Sequence, residues 1–243
     1  MKNFSEKTVL ITGGTQGLGA ELTRRLDAAG AEVIVLGCRR EFFEALGGGV
    51  SERQEFRAVD LGDYGQVADF ASSIKGRKID IILNNAGVFS TNETEARNFG
   101  EREKVLRTNL LGAINITEAV LPNLLLSEDA SQILFINSIA GRLGFGGETG
   151  GWSTYNASKW GLRGYMMDLK QREELKRIKI GAIYPGGFES NIYENAGTED
   201  SAEETHGQSW MMATETVADA AMFMLGQPRD ANLEELVLTK FFG

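Results

Sequence analysis

Short apolar runs alternate with helix-period segments from Lys7 to Leu238, and this predicts an α/β protein built on a doubly wound parallel sheet. Two further observations support that class. The first run leads straight through a glycine-rich turn into a helix, an order that presents backbone N–H groups to a phosphate. Gly13, Asn84, Ser138 and Pro185 stand at the carboxyl ends of four predicted strands. Ligands bind outside those ends in sheets of this kind.

The elements follow in order. Lys7 to Thr12 is a short apolar run, the pattern of a strand buried on both faces. After Gly13-Gly14-Thr15-Gln16-Gly17-Leu18-Gly19, the spacing of Leu22, Leu26 and Ala29 predicts a helix over Ala20 to Ala29. Glu32 to Gly37 and Gln54 to Val59 read as the second and third strands, and Tyr64 to Ser73 as a helix. Ile79 to Asn84 is the fourth strand. Arg102 to Leu126 reads as one long helix with Asn109 inside it and a kink or break at Pro122. Ser131 to Asn137 is the fifth strand, Thr154 to about Lys176 a helix, and Lys179 to Tyr184 the sixth strand. A polar stretch from Ser190 to Ser209 precedes a helix over Thr214 to Leu225 and a last strand over Glu234 to Leu238.

Composition narrows the function. The 243 residues, 42% of them hydrophobic, fill one large α/β domain or two small ones, and three prolines leave no obvious linker. The unbroken alternation favours a single domain over residues 1–243. A formal net charge of −9 argues against nucleic acid and anionic membranes as partners. One cysteine, Cys38, excludes an internal disulfide and fits a reducing compartment. Met1 to Glu6 turns into a strand with no signal-peptide core, and the apolar stretch Leu106 to Leu126 is interrupted by Asn109, Asn115, Glu118 and Asn123. A cytoplasmic protein acting on a small molecule is the expectation.

The chemistry centres on Tyr155 and Lys159. Four residues apart on a helix, they lie on one face. A tyrosine hydroxyl, with an ordinary pKa of about 10, exchanges protons poorly at neutral pH, and a neighbouring cation favours the phenolate. The pair can thus form a proton donor and acceptor; the alternative is two side chains on a solvated helix face. The glycine turn has its own alternative, a turn that holds no nucleotide. Its spacing, G-x-x-x-G-x-G, differs from the G-x-G-x-x-G of the commonest dinucleotide fingerprint.

Five motifs in order resemble the short-chain dehydrogenase/reductases in their single-domain form. They are Thr12-Gly13-x-x-x-Gly17-x-Gly19, Asn84-Asn85-Ala86-Gly87, Asn137-Ser138-Ile139-Ala140-Gly141, Tyr155-x-x-x-Lys159, and Pro185-Gly186 followed by Ser190. The resemblance covers nearly the whole chain. Two departures stand out: a longer interval between Ser138 and Tyr155, holding Gly146 to Gly151, and a chain end at Lys240-Phe241-Phe242-Gly243 in place of a glycine-rich tail.

The resemblance implies a Rossmann-like fold and an NAD(P)-dependent oxidoreductase moving a hydride between nicotinamide and a carbonyl or alcohol. It makes Tyr155 the general acid and base. Lys159 would hold the nicotinamide ribose and depress the Tyr155 pKa. Ser138 would bond the carbonyl oxygen, and Asn109 a water leading to Lys159; the alternative for Asn109 is a buried amide satisfying backbone groups. The implied cofactor residues are Gly13, Thr15, Gln16, Gly17, Leu18 and Gly19 in the first turn, and Arg39 and Arg40 after the second strand. Asp60 and Leu61 follow the third strand, and Asn85, Ala86 and Gly87 the fourth. Pro185, Gly186, Phe188 and Ser190 follow the sixth, with Tyr155 and Lys159 completing the set.

NAD-preferring members carry an acidic residue where this chain has Gly37. With no carboxylate there, Arg39 or Arg40 can meet a 2′-phosphate, so NADP is favoured and NAD is the other candidate; both arginines solvated at a helix start is the alternative. The resemblance also implies a homodimer or homotetramer, packed through the helices bearing Asn109 and Tyr155, where Ala157, Gly161 and Gly164 permit close approach. His206 reads as an exposed histidine. Phe188, Tyr193, Trp210, Met211 and Met212 either line a substrate pocket or pack a cover. The polar stretch predicts a substrate lid over 190–213, faced by Phe145 and Trp152 of the Ser138–Tyr155 loop. Two other functions compete: an NADP-binding redox sensor without catalysis, and a nucleotide-sugar epimerase or dehydratase.

Overall fold

The computed structural model describes residues 3–47, 51–90, 98–144, 152–190, 192 and 208–242. Seven strands form one sheet in the order β3-β2-β1-β4-β5-β6-β7, and every neighbouring pair is parallel. They are β1 (Thr8–Thr12), β2 (Glu32–Gly37), β3 (Gln54–Ala58), β4 (Ile81–Asn84), β5 (Ser131–Ile136), β6 (Ile178–Pro185) and β7 (Glu235–Leu238). Strand order reverses between β1 and β4, which is where a doubly wound sheet opens a crevice.

The apolar runs are explained by the two covered faces. Successive side chains of a strand point to opposite sides. Leu10, Ile34, Ile82 and Phe135 share one cluster with Val67, Ile116, Leu162 and Met166. Val9, Ile11, Val33 and Leu134 share the other with Leu22, Leu26, Val217 and Ala221. The first cluster lies under helices α3 (Tyr64–Ser73), α5 (Ala113–Leu124) and α6 (Ser153–Leu169), the second under α1 (Gly17–Ala28) and α7 (Thr214–Leu225). Leu10 is fully buried, so Leu10→Ala would remove about 2–5 kcal/mol. Two shorter helices, α2 (Arg40–Ala45) and α4 (Phe99–Leu106), complete the set among the described residues.

Several boundaries differ from the sequence expectation, each for a local reason. Helix α1 begins at Gly17, not Ala20, so the glycine turn is itself the helix's first turn. The helix expected over Arg102 to Leu126 is three pieces: α4, a π-turn at Arg107–Gly112, and α5. Its irregularity surrounds Asn109 rather than Pro122, which sits inside α5 two residues before that helix ends. Gly112 permits the turn, because a Cβ there would stand 2.8 Å from Leu61. Helix α6 stops at Leu169, and only a short 3₁₀ turn, Glu173–Leu175, follows.

Two further observations bear on the helix face and the cover. Gly161 faces its own chain, where a Cβ would lie 2.9 Å from a Leu110 methyl, while Gly164 has open space beside it. Met211 and Met212 are both buried, and Met212 bridges Phe188 through two backbone hydrogen bonds of 3.0 Å with Gly187 and Glu189. Residues 191 and 193–207 of the expected lid, with Tyr193 and His206, and Phe145 of the facing loop lie outside the described residues. Among the described residues no helix is long and apolar enough to cross a membrane.

Candidate active site

A cavity of about 760 Å³ opens along the carboxyl ends of the strands, and the motif residues line it. Its floor starts at the glycine turn. Gly13 has φ +63, and a Cβ there would stand 2.9 Å from the Ala86 Cα; a Cβ on Gly19 would stand 2.5 Å from the Asn85 amide nitrogen. Side chains at these positions would push the β1 and β4 turns apart. The two turns are clamped together instead. Thr12 Oγ1 accepts from the Asn85 and Ala86 N–H groups at 3.0 Å each, and the Asn85 amide donates to the Thr12 and Gly13 carbonyls at 3.1 and 3.0 Å. Behind them, the buried Asn84 amide donates to Thr117 at 2.9 Å.

Helix α1 receives no side-chain cap from Gln16, so its first N–H groups, at Gly17, Leu18 and Gly19, face the cavity with the dipole's positive end. This is a cradle for a pyrophosphate. Thr15, Asp60 and Leu61 line the same end, and Ala86 and Gly87 the middle. The two arginines separate. Arg39 lines the cavity with its guanidinium 3.8 Å from the Phe42 ring centroid, whereas Arg40 is absent from the lining and lies 5.1 Å from the Phe56 ring.

At the other end stand Ser138, Tyr155 and Lys159, with Pro185, Gly186, Phe188 and Ser190 forming the side below β6. Lys159 Nζ lies 5.6 Å from the Tyr155 ring centroid and is fully buried in the fold. It donates to the Ile136 carbonyl at 3.3 Å. Burial pushes its pKa down to about 8. A buried ammonium with that single hydrogen-bond partner among the described residues has donors left over for hydroxyl groups placed in the cavity. Together with the bare α1 terminus, this fits a dinucleotide carrying a pyrophosphate and a ribose.

Ser138 caps the Ile139–Gly141 turn, accepting from the Ala140 N–H at 3.2 Å. That turn lies against the backbone of α6: a Cβ on Gly141 would stand 2.7 Å from the Lys159 carbonyl, which also accepts from the Asn137 amide at 3.2 Å. Asn137 and Gly141 thus fix the distance between the Ser138 and Lys159 segments. Asn109 lies behind Gly87 and outside the lining. Its Oδ1 accepts from the Val88 N–H at 2.7 Å, and its amide donates to the Val88 carbonyl at 2.8 Å and to Ser158 at 3.4 Å. The side chain is therefore spent on Val88 and Ser158, within the π-turn that carries it.

Cavity residues beyond the sequence motifs include Phe42, Lys104, Thr108 and Ile192. They lie on helices and loops with no motif around them; Phe42 alone carried a signal, as the aromatic following the Arg39-Arg40 pair.

Comparison with known proteins follows this geometry. The family model described as short chain dehydrogenase matches residues 7–201. Dehydrogenase/reductase SDR family member 7B of Mus musculus is 30% identical over 203 residues, which are 80% of this chain and 61% of that protein, so this chain spans less than two thirds of that relative. An NADP-dependent 3-hydroxy acid dehydrogenase of Escherichia coli is 26% identical over 234 residues, 94% of this chain and 92% of the relative. The solved closed form of serine dehydrogenase complexed with NADP+ superposes with a TM-score of 0.83 at 24% identity, covering 96% of this chain and 94% of that one. The chain belongs to the short-chain dehydrogenase family, and so to the NAD(P)-dependent oxidoreductases.

Proposed function

We propose that the cavity binds NADP(H) and interconverts a carbonyl compound and its alcohol, with Tyr155 as the proton donor and acceptor. Hydride transfer is the chemistry that the bound dinucleotide supplies. The protein's part is to hold, polarise and protonate. Ser138 donates to the substrate oxygen where negative charge grows. In reduction, Tyr155 passes its hydroxyl proton to that oxygen; in oxidation the tyrosinate takes the proton back. Lys159 donates to ribose hydroxyls and favours the tyrosinate. Asn137 and Gly141 keep the serine and lysine segments in register.

The observation that carries this reading is the convergence of Ser138, Tyr155 and Lys159 at one end of a cavity whose other end is a glycine cradle. Tyr155→Phe removes only the hydroxyl. Turnover is expected to fall by at least ~10²-fold while NADPH affinity stays within about twofold. Turnover near wild type would refute the role.

The preference for NADP rests on Arg39 in the lining, on Gly37 where an acid would repel a 2′-phosphate, and on the relatives named for NADP. Arg39→Ala is expected to weaken NADPH binding roughly 10- to 100-fold, the range of a charge-assisted hydrogen bond, and NADH binding little. Arg40→Ala should change neither. The ratio of kcat/KM for the two cofactors in both variants decides it, and equal effects on NADPH and NADH would exclude Arg39 as the phosphate ligand.

A further inference from the structure

Beside Ser138 and Lys159, the lining next to Tyr155 is an apolar wall of Ile139, Ala140, Trp152 and Ile192, with Phe89 packed behind it. Phe89 packs on Trp152 with ring centroids 4.4 Å apart, and both meet Tyr155 edge-on, at 5.5 and 5.9 Å. Ala140 and Ile192 close the same cluster. Across the cavity, Ile139 lies against Gly186, and the Trp210 indole covers Gly187 so closely that a Cβ there would collide with its six-membered ring.

Charge at this end is equally one-sided. The cations among the described lining residues are Arg39, Lys104 and Lys159; Arg39 follows β2, and Lys104 also borders a depression with Asp60 and Asp63. Arg142, which follows the Ser138 turn, is paired with Glu235. Residues 143–158 and 180–228 contain no lysine or arginine at all. A substrate carboxylate entering here would lose its water and, with Lys159 given to the ribose in the proposed mechanism, meet no further cation among the described residues around Tyr155. An aryl or branched alkyl group would instead gain contact with aromatic faces.

We infer that this enzyme takes uncharged, apolar ketones and their alcohols, aromatic ones above all, and excludes substrates with a free carboxylate such as 3-hydroxy acids. The inference rests on the hydride-transfer reading of the cavity.

The test compares 3-hydroxy-3-phenylpropanoate with its methyl ester, which removes the charge and adds one methyl group. Both are offered to the NADP+-saturated enzyme, with NADPH formation followed by absorbance and binding by calorimetry. A kcat/KM for the ester at least tenfold above that for the acid is expected; equal values, or a better acid, would overturn the inference. Ile192→Arg places a cation in the wall and should narrow the ratio at least tenfold; an unchanged ratio in the folded variant also counts against it. If neither compound is turned over although the cofactor binds, the hydride-transfer reading fails, and affinity alone decides the ligand class. Tenfold tighter binding of the ester sustains that class, and equal affinities refute it.

Discussion

A buried ammonium is unfavourable for the fold, and the proposed mechanism needs one at Lys159. Its pKa near 8 records the cost: the protein would hold this side chain more easily without its proton. The unfolded chain, with the ordinary lysine value of about 10.5, binds more protons than the native state between those two values. This group's penalty is therefore fully present below pH ~8 and is relieved as pH rises toward ~10.5. Lys159→Met keeps the length and removes the charge. We expect the cofactor-free variant to be more stable at pH 7 by on the order of 1–3 kcal/mol, a Tm rise of ~2 °C or more, with turnover down ~10²-fold or more. A Tm below wild type would show that the lysine stabilises the fold. The pair was legible in the sequence because its spacing alone puts both groups on one face. The division of labour between Arg39 and Arg40 was not: helix α2 starts at Arg40, and only the backbone direction at Arg39, with φ −129 and ψ 120, decides which guanidinium reaches the cavity.

Three elements that carry the site are joined through one residue on a fourth. Glu235, on β7, pairs with Arg142 just after the Ser138 turn, with Arg163 one helical turn beyond Lys159 at 3.1 Å, and with the hydroxyl of Tyr184, beside Pro185 at the end of β6, also at 3.1 Å. Both guanidiniums also flank the Tyr184 ring, 5.9 and 6.0 Å from its centroid. Burial raises the Glu235 pKa, but bonds from Arg163 and Tyr184 and the charge of Arg142 outweigh it and hold the carboxyl below its usual value. By sign, that stabilisation is complete above the unfolded value of ~4.3 and is lost as pH falls through the lower native one. Glu235→Gln should lower Tm by roughly 2–8 °C, from ~1–2 kcal/mol, between pH 5 and 8, with the deficit shrinking below pH ~4. It should also lower kcat severalfold, with little change in KM for NADPH. A Tm loss with wild-type kcat would make the clamp purely structural. Nothing in the sequence marks Glu235, because its partners are 93, 72 and 51 residues away. The π-turn at Arg107–Gly112 was illegible for a related reason: its cause is the tertiary contact of Asn109 with Val88 and of Gly112 with Leu61.

At the scale of the molecule, the sheet has a working end and a structural end. The alternation of strands and helices was readable because a parallel sheet buried on both faces demands continuous apolar runs, and five motifs mark the working end. The opposite end carries no motif, and its design emerges only in three dimensions. Asp80, just before β4, is 1% exposed. It accepts from the Thr8 N–H of β1 at 2.9 Å and from the Ser127 hydroxyl ahead of β5 at 2.6 Å, with Lys78 and Lys7 at 3.2 and 3.6 Å. One carboxylate thereby ties the amino ends of three central strands. Burial alone would raise its pKa; Ser127, Thr8, Lys78 and Lys7 together hold it below the usual value. Its contribution is thus present above pH ~4 and disappears as pH falls through the native value, so this end of the sheet sets part of the acid limit of the fold. Asp80→Asn keeps the size and removes the charge. The cost at pH 7 is expected to be about 1–3 kcal/mol, because hydrogen bonds survive in part and both lysines can reach water. That corresponds to a Tm lower by ~2–12 °C, measured by calorimetry, with the gap to wild type closing below pH ~3. Since Asp80 lies at the far end of the strands from Tyr155, kcat at 25 °C should stay within twofold. A variant that kept its Tm but lost turnover would mean that the two ends of the sheet are coupled rather than separate.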